Sequence, residues 1–156
     1  HLDLIARVRA AAPEAALRSS FIVGFPGETE GDVDTLDRFL EAAELDWAGF
    51  FPYSAEEGTP AALLPGRIGP DEVAERTRRL QQTQERVTAQ RNAAVVGQEF
   101  DVVVDLVEDG TPVARSYREA PEIDGVILVD RGRPGEWLRA RITASYGSEL
   151  AGEVIG

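Results

Sequence analysis

The chain has 156 residues, no Cys, one His and a formal charge of −12, which is enough length for one domain or one and a fraction. Without Cys there are no disulfides, thiolate nucleophiles or cysteine-held clusters within these residues, and a lone His1 argues against a histidine zinc site or a Ser-His-Asp triad. All 16 cations are Arg, and the acidic excess repels nucleic acid and attracts basic partners, although solubility alone accounts for it equally well.

Leu2, Ile5, Ala6 and Val8 predict a helix over residues 2–10, ended by Pro13. Phe21-Ile22-Val23 is apolar without alternation, as in a parallel strand buried on both faces. A second helix follows, with Thr29 or Gly31 near its start and Glu30, Asp32 and Asp34 in its first turn. Val33, Leu36, Leu40 and Ala43 form its inward face. Residues 46–53 predict a second strand, completing a βαβ unit and implying a parallel sheet.

Residues 54–69 are rich in Gly and Pro and predict a loop. Pro70-Asp71-Glu72 opens a long helix reaching about Ala94. Its apolar stripe is thin, Val73, Leu80 and Val87, so most of its surface, with Arg76, Arg78 and Arg79, is expected to be wet. From Val96 the period changes. Phe100, Val102, Val104 and Leu106 alternate with mostly polar neighbours, and Glu108-Asp109-Gly110 signals a hairpin. Further strands over 111–117, 126–130, 137–144 and 149–155 predict a small five-stranded antiparallel barrel of the OB type. Trp137 is expected to plug or cap it.

The fold class is therefore α/β plus all-β: residues 1–69 as one part, 70–92 as a connecting helix, 93–156 as the barrel. Residues 96–156 hold 12 acids and 6 Arg, against 16 acids and 10 Arg in residues 1–95, so acidic density is higher in the β module. With two open parallel strand edges, residues 1–69 are expected to be poorly ordered alone, whereas the β module folds by itself. No apolar run approaches a membrane span, and the first residues lack a signal peptide's basic-then-apolar order. Lacking also an initiator Met, the chain is expected to be a cytoplasmic, monomeric portion of a longer protein with no membrane association.

Gly24-Phe25-Pro26-Gly27-Glu28 lies where a parallel strand hands over to a helix, the place where α/β folds bind ligands. A phosphate is rejected, because Lys is absent and Glu28 with Glu30 repels anions. A cationic or zwitterionic ligand with an apolar ring suits the loop. A rigid turn without a ligand is an equal alternative.

"FIVGFPGET" followed by "FPYSAEEGTPAA" resembles the late barrel segments of the radical S-adenosylmethionine methylthiotransferases, and residues 93–156 resemble their TRAM domain. "APEIDG", Ala120 to Gly125, is similar to the RimO-type branch, which methylthiolates an aspartate of a small-subunit ribosomal protein. The resemblance implies the end of a radical-SAM partial TIM-type barrel followed by an OB-like TRAM barrel. It implies S-adenosylmethionine bound by Ile22, Gly24, Phe25, Pro26, Gly27 and Glu28, and substrate docking by Arg115, Ser116, Glu119, Glu122 and Asp124. Arg115 has a second reading, an ion pair with the module's own acids, and the acidic run has another as a solvated loop.

The family's two 4Fe-4S clusters need Cys, so neither cluster, no other metal site and no catalytic residue is expected within this segment. In the family one S-adenosylmethionine supplies the methyl group and a second yields the radical that takes hydrogen from the aspartate β-carbon. The alternatives are a tRNA-directed methylthiotransferase whose TRAM domain holds tRNA, and an OB-like binding module without chemistry.

Overall fold

A computed structural model describes residues 1–155. The chain divides into two units, one of His1–Ala11 with Leu17–Val87, the other of Ala12–Ala16 with the residues from Thr88 onward.

In the first unit, α1 (Leu2–Ala11) precedes β1 (Arg18–Val23), α2 (Glu30–Ala43) and β2 (Trp47–Pro52). β1 and β2 are parallel, pairing from Arg18 with Trp47 to Val23 with Pro52. β1 begins three residues before the apolar run, because Arg18, Ser19 and Ser20 are held by backbone pairing rather than by apolar side chains. Asp46 is buried just before β2 and accepts from the Leu17 N–H at 2.8 Å, while its own N–H donates to the Leu17 carbonyl. That exchange fixes the register at the entry of both strands.

Thr29 caps α2 in a capping box with Asp32: the Asp32 N–H donates to Thr29 Oγ1 at 3.3 Å and the Thr29 N–H to Asp32 Oδ2 at 2.8 Å. The hydrogen bonds from the Thr29 side chain and backbone hold the Asp32 carboxyl below its ordinary value. Val33, Leu40 and Ala43 of α2 pack with Val23, Leu45 and Leu80 in one core, joined by partly buried Phe21, Phe39 and Phe50.

Leu80 belongs to α3 (Pro70–Ala93), which starts in this unit and enters the second after Val87. The thin stripe is real: Leu80 and Val87 are buried, and Val73 faces Gly24. The wet surface expected around it needs a correction. Arg76 is buried, and Arg79 reaches α2, donating to Glu30, Asp34 and Asp37 at 2.7, 2.6 and 3.0 Å. Only Arg78 of the three is exposed, paired with Glu75 on its own helix. The expected loop 54–69 contains one 3-10 turn, Pro60–Leu63, capped by Thr59. Two parallel strands do not close a β/α barrel, so the first unit is an α/β segment whose sheet packs against helices on one face and is bare on the other at Ile22 and Phe51.

The second unit is a closed barrel of β3 (Glu99–Glu108), β4 (Thr111–Arg115), β5 (Ile127–Val129), β6 (Trp137–Tyr146) and β7 (Glu149–Val154), in the order β3-β4-β5-β7-β6. The expectation of an all-antiparallel barrel is corrected: β5 and β7 run parallel, Ile127 opposite Leu150 and Val129 opposite Gly152. β5 is three residues long and sits between β4 and β7. Phe100, Val102, Val104, Ala114, Ile142 and Leu150 are among the side chains that fill the interior. Outside, Arg141 pairs with Glu99 at 2.8 Å and Arg139 with Asp101 at 3.0 Å. The Arg141 hydrogen bond, opposed by burial and helped by both arginine charges, lowers the Glu99 carboxyl.

Trp137 lies on that outer face, 71% exposed, so it does not plug the barrel. It is in phase with Arg139 and Arg141, whereas Leu138, Ala140 and Ile142 point inward. Among the described residues no helix is long and apolar enough to cross a membrane.

Candidate functional site

The turn after β1 is built by backbone conformations that only Gly adopts easily. Gly24 has φ +82° and Gly27 φ +87°. Gly24 also packs directly under α3, where a Cβ would overlap the Val73 side chain. The Gly27 N–H donates to the Gly66 carbonyl at 2.9 Å, which ties the turn to the loop before α3.

Glu28 faces inward. Its Oε2 accepts from the Gly24 N–H at 3.0 Å and its Oε1 from Arg76 Nη1 at 2.8 Å. Arg76 also donates to Glu72 at 2.6 Å and lies 3.7 Å from Glu30. Burial opposes the charge on Arg76, but the Glu28 hydrogen bond and the charges of Glu72, Glu28 and Glu30 outweigh it and raise its pKa. Glu28 is therefore spent on shaping the loop, and the repulsion of anions expected from it is neutralised by Arg76.

The six residues proposed for a cofactor separate by exposure. Ile22, Phe25 and Gly27 are exposed, Gly24 and Pro26 are buried, and Glu28 is half-buried. Ile22 stands opposite Phe51 in the strand pairing, and the two are 60% and 57% exposed, a bare apolar pair on the sheet. The Phe51 ring lies over Gly49, where a Cβ would come within 3.0 Å of it.

Gly24 and Pro26 instead line a cavity of about 390 Å³, together with Tyr53, Arg67, Ile68 and Val73. Tyr53 is anchored through its N–H to the Val23 carbonyl at 2.8 Å and edge-on to Phe25 at 5.2 Å between ring centres. Its hydroxyl is buried and has no hydrogen-bond partner. This cavity was not foreseen; the signal for it was Tyr53 directly after a strand end, the usual place for a ligand-facing polar group. Of the "YS…EGT" residues, Ser54, Glu57, Gly58 and Thr59 lie in the exposed loop, and Thr59 serves as the cap of the 3-10 turn.

The five proposed docking residues also separate. Arg115 Nε donates to Asp105 Oδ1 at 3.1 Å, so it pairs with an acid of its own module. Ser116 and Glu119 are buried, which corrects their assignment to a docking surface. The Ser116 N–H and hydroxyl donate to Glu119 Oε2 at 2.9 and 2.6 Å. Beside them Arg118 donates to Asn92, and Asn92 to the Gly147 carbonyl. This buried polar set pins the segment that follows β4. The segment then presents Glu122, exposed at φ +62°, and Ile123, 70% exposed. Asp124 is half-buried and closes the loop by accepting from the Ala120 N–H at 2.8 Å.

Residues 96–155 match the TRAM domain family. Across nearly its whole length the chain is similar to proteins named ribosomal protein uS12 methylthiotransferase RimO. It is 46% identical to the one from Nitrosomonas eutropha over 86% of this chain and 31% of that protein. It is 43% identical to the one from Geobacter sulfurreducens over 98% of this chain and 35% of that protein. With the Thermus thermophilus protein it shares 45% over 97% of this chain and 36% of that protein. The chain thus spans about a third of the length of the curated relatives it matches.

Proposed function

Because this chain is a relative of the uS12 methylthiotransferases along about a third of their length, we propose that it is the C-terminal portion of an enzyme that methylthiolates the β-carbon of an aspartate in ribosomal protein uS12. The TRAM module docks the protein substrate. The single observation that carries the docking role is the disposition of charge on the barrel. Arg115, Arg139 and Arg141 are taken up by Asp105, Asp101 and Glu99, and Arg118 is buried, while Glu122 stays exposed. With 12 acids against 6 Arg in residues 96–156, four of those arginines paired with acids or buried and Arg131 and Arg133 left exposed, the module is net acidic and suited to a basic protein.

The family's iron-sulfur clusters do not fit these residues, since the chain has no Cys. S-adenosylmethionine fits better. The bare pair Ile22 and Phe51 offers a flat apolar face for a nucleoside ring at the carboxyl end of parallel strands. Bound in the whole enzyme, it supplies the methyl group and the radical chemistry. This chain's share is to position it: Gly24 lets the turn fold tightly under α3, and Glu28 and Arg76 hold that turn in place.

The test is a full-length protein carrying this chain, incubated with uS12 and S-adenosylmethionine under reducing conditions. Mass spectrometry should find a methylthio group on one uS12 aspartate. Modification of tRNA in place of uS12 would transfer the assignment to the tRNA-directed branch. That second reading is favoured by one feature, the exposed Trp137 in phase with Arg139 and Arg141. Both arginines are held by acids, which weakens it.

A further inference from the structure

The strand pairing of the barrel sets a row of apolar side chains on its outer face. Leu106 stands opposite Val113, Val113 opposite Leu128, Leu128 opposite Ala151 and Ala151 opposite Ala144. Paired residues share a face of a sheet, and their chain neighbours Ala114, Ile127 and Leu150 point into the core, so the row points out. Both ends of the row are there because of bulges. Without the register shifts after Val104 and after Ile142, Leu106 and Ala144 would alternate inward. Leu106 is 47% exposed and the other four are half-buried. Carboxylates border the row on the same face. Glu108 follows Leu106 by two residues, and Glu149 and Glu153 lie two residues to either side of Ala151. All three are exposed, and none forms an ion pair among the described residues. The nearby cations are already engaged: Arg115 by Asp105, Arg141 by Glu99, and Arg131 by the Val154 carbonyl at 3.1 Å.

We propose that this row is a second docking face of the barrel and that it receives a basic amphipathic segment of the protein substrate. Aliphatic side chains of that segment lie over Leu106, Val113 and Leu128, and its Lys or Arg side chains meet Glu108, Glu149 and Glu153. The inference rests on the reading of the barrel as the module that docks uS12. The chemistry of the face selects the occupant. Unpaired carboxylates repel the phosphates of a nucleic acid. They also repel a second copy of this chain, which brings the same acids and a charge of −12. The outside of a closed barrel is convex and cannot enclose a small ligand. A basic segment with an apolar side satisfies both features at once, the carboxylates by charge and the row by burial. The face is separate from the loop at Glu122, because none of residues 116–125 belongs to the row.

The experiment titrates labelled uS12 into a full-length protein carrying this chain and follows methylthiolation in parallel. Glu149→Lys combined with Glu153→Lys should weaken uS12 binding about tenfold, and the loss should shrink as salt is raised. Leu106→Ser should weaken it severalfold at every salt concentration, with a melting temperature within a few degrees of the parent, because the side chain it shortens is exposed. Glu56→Lys combined with Glu85→Lys makes the same change of charge at exposed positions outside the barrel. That control should alter the affinity less than about twofold, since screened surface charges act only over roughly 10 Å. A control as damaging as the barrel variant would mean that net charge, and not this face, attracts the substrate, and would overturn the proposal. Unchanged affinity in both the Glu149/Glu153 and the Leu106 variants, with uS12 still bound and modified, would overturn it too and leave the uS12 assignment standing. An unaltered protein that neither binds nor modifies uS12 would remove the assignment and this face together.

Discussion

Gly24 and Val73 meet so closely that any Cβ at position 24 would occupy the space of the Val73 methyl groups. The contact joins the turn after β1 to the first turns of α3 across 49 residues of sequence, and it coincides with a positive φ of 82°. Gly24→Ala should therefore destabilise the first unit by about 1–3 kcal/mol, through strain and overlap together. Urea unfolding is the measurement. Val73→Ala in the same chain should restore part of the loss, because it clears the overlap but leaves the backbone strain. Full recovery would show that the φ value is unimportant.

Arg76 is the centre of the charges that hold the turn. Arg76→Met strips the inward-facing Glu28 carboxylate of its cation, leaving it only the Gly24 N–H. A loss of about 2–4 kcal/mol is expected, since removing one partner of a buried pair exposes the cost of the other. Arg76→Met combined with Glu28→Gln should cost less than Arg76→Met alone. A double-mutant cycle with no coupling would mean that the pair is as weak as an exposed one.

The unfolding of Asp32 and Glu99 regions should follow acid. Both carboxyls are lowered in the folded chain, Asp32 by the Thr29 hydrogen bonds and Glu99 by Arg141 and Arg139. A lowered folded pKa stabilises above the ordinary carboxylate range of about 4 and stops doing so as pH falls through the lowered value. The urea midpoint should thus be flat from pH 8 to 6 with respect to these groups and fall below about pH 4. Glu99→Gln should flatten that fall for the barrel, read from the NMR amide signals of β3 to β7. An unchanged profile would assign the acid sensitivity to other carboxylates.

Much of this was legible in the sequence because periodicity reports burial. The inward face of α2 and the stripe of α3 fell where their spacing put them. What escaped was set by partners distant in sequence. Arg18 to Ser20 become a strand only through pairing with Trp47 to Gly49. Nothing local in Ile127 to Val129 says that its neighbour is β7, so the parallel pair was invisible. Trp137 is different. Its phase with Arg139 and Arg141 along β6 puts it on the outer face, and that position outweighs the tendency of a large aromatic side chain to be buried. At the site, glycines marked the turn correctly, but exposure alone could separate Ile22 and Phe25 from Gly24 and Pro26, and burial alone could turn Ser116 and Glu119 inward.

Residues 1–69 should not fold without α3. Leu80 lies in the same core as Val23, Val33 and Leu40, and Arg76 and Arg79 tie α3 to Glu28, Asp34 and Asp37. Leu80→Ala should cost about 2–5 kcal/mol by the cavity it leaves. The fragment 1–69 should show collapsed amide dispersion by NMR, and the fragment 1–93 more structure. Equal dispersion in the two would show that α3 adds nothing to this core.

The loop at Glu122 gives the sharpest test of the docking role proposed for the barrel. Glu122 is held outward by a left-handed backbone, next to Ile123, on a loop pinned from below by Ser116, Glu119 and Arg118. In a full-length protein carrying this chain, Glu122→Lys should weaken uS12 binding about tenfold, and more at low salt than at high, because a surface charge acts over roughly 10 Å at 0.1 M salt. Ile123→Ser should weaken it with little salt dependence. Glu119→Gln should act indirectly, by loosening the loop, so it should lower the melting temperature as well as the affinity; Glu122→Lys should leave the melting temperature within a few degrees. Affinity for uS12 unchanged by Glu122→Lys and Ile123→Ser would remove this loop from the docking surface.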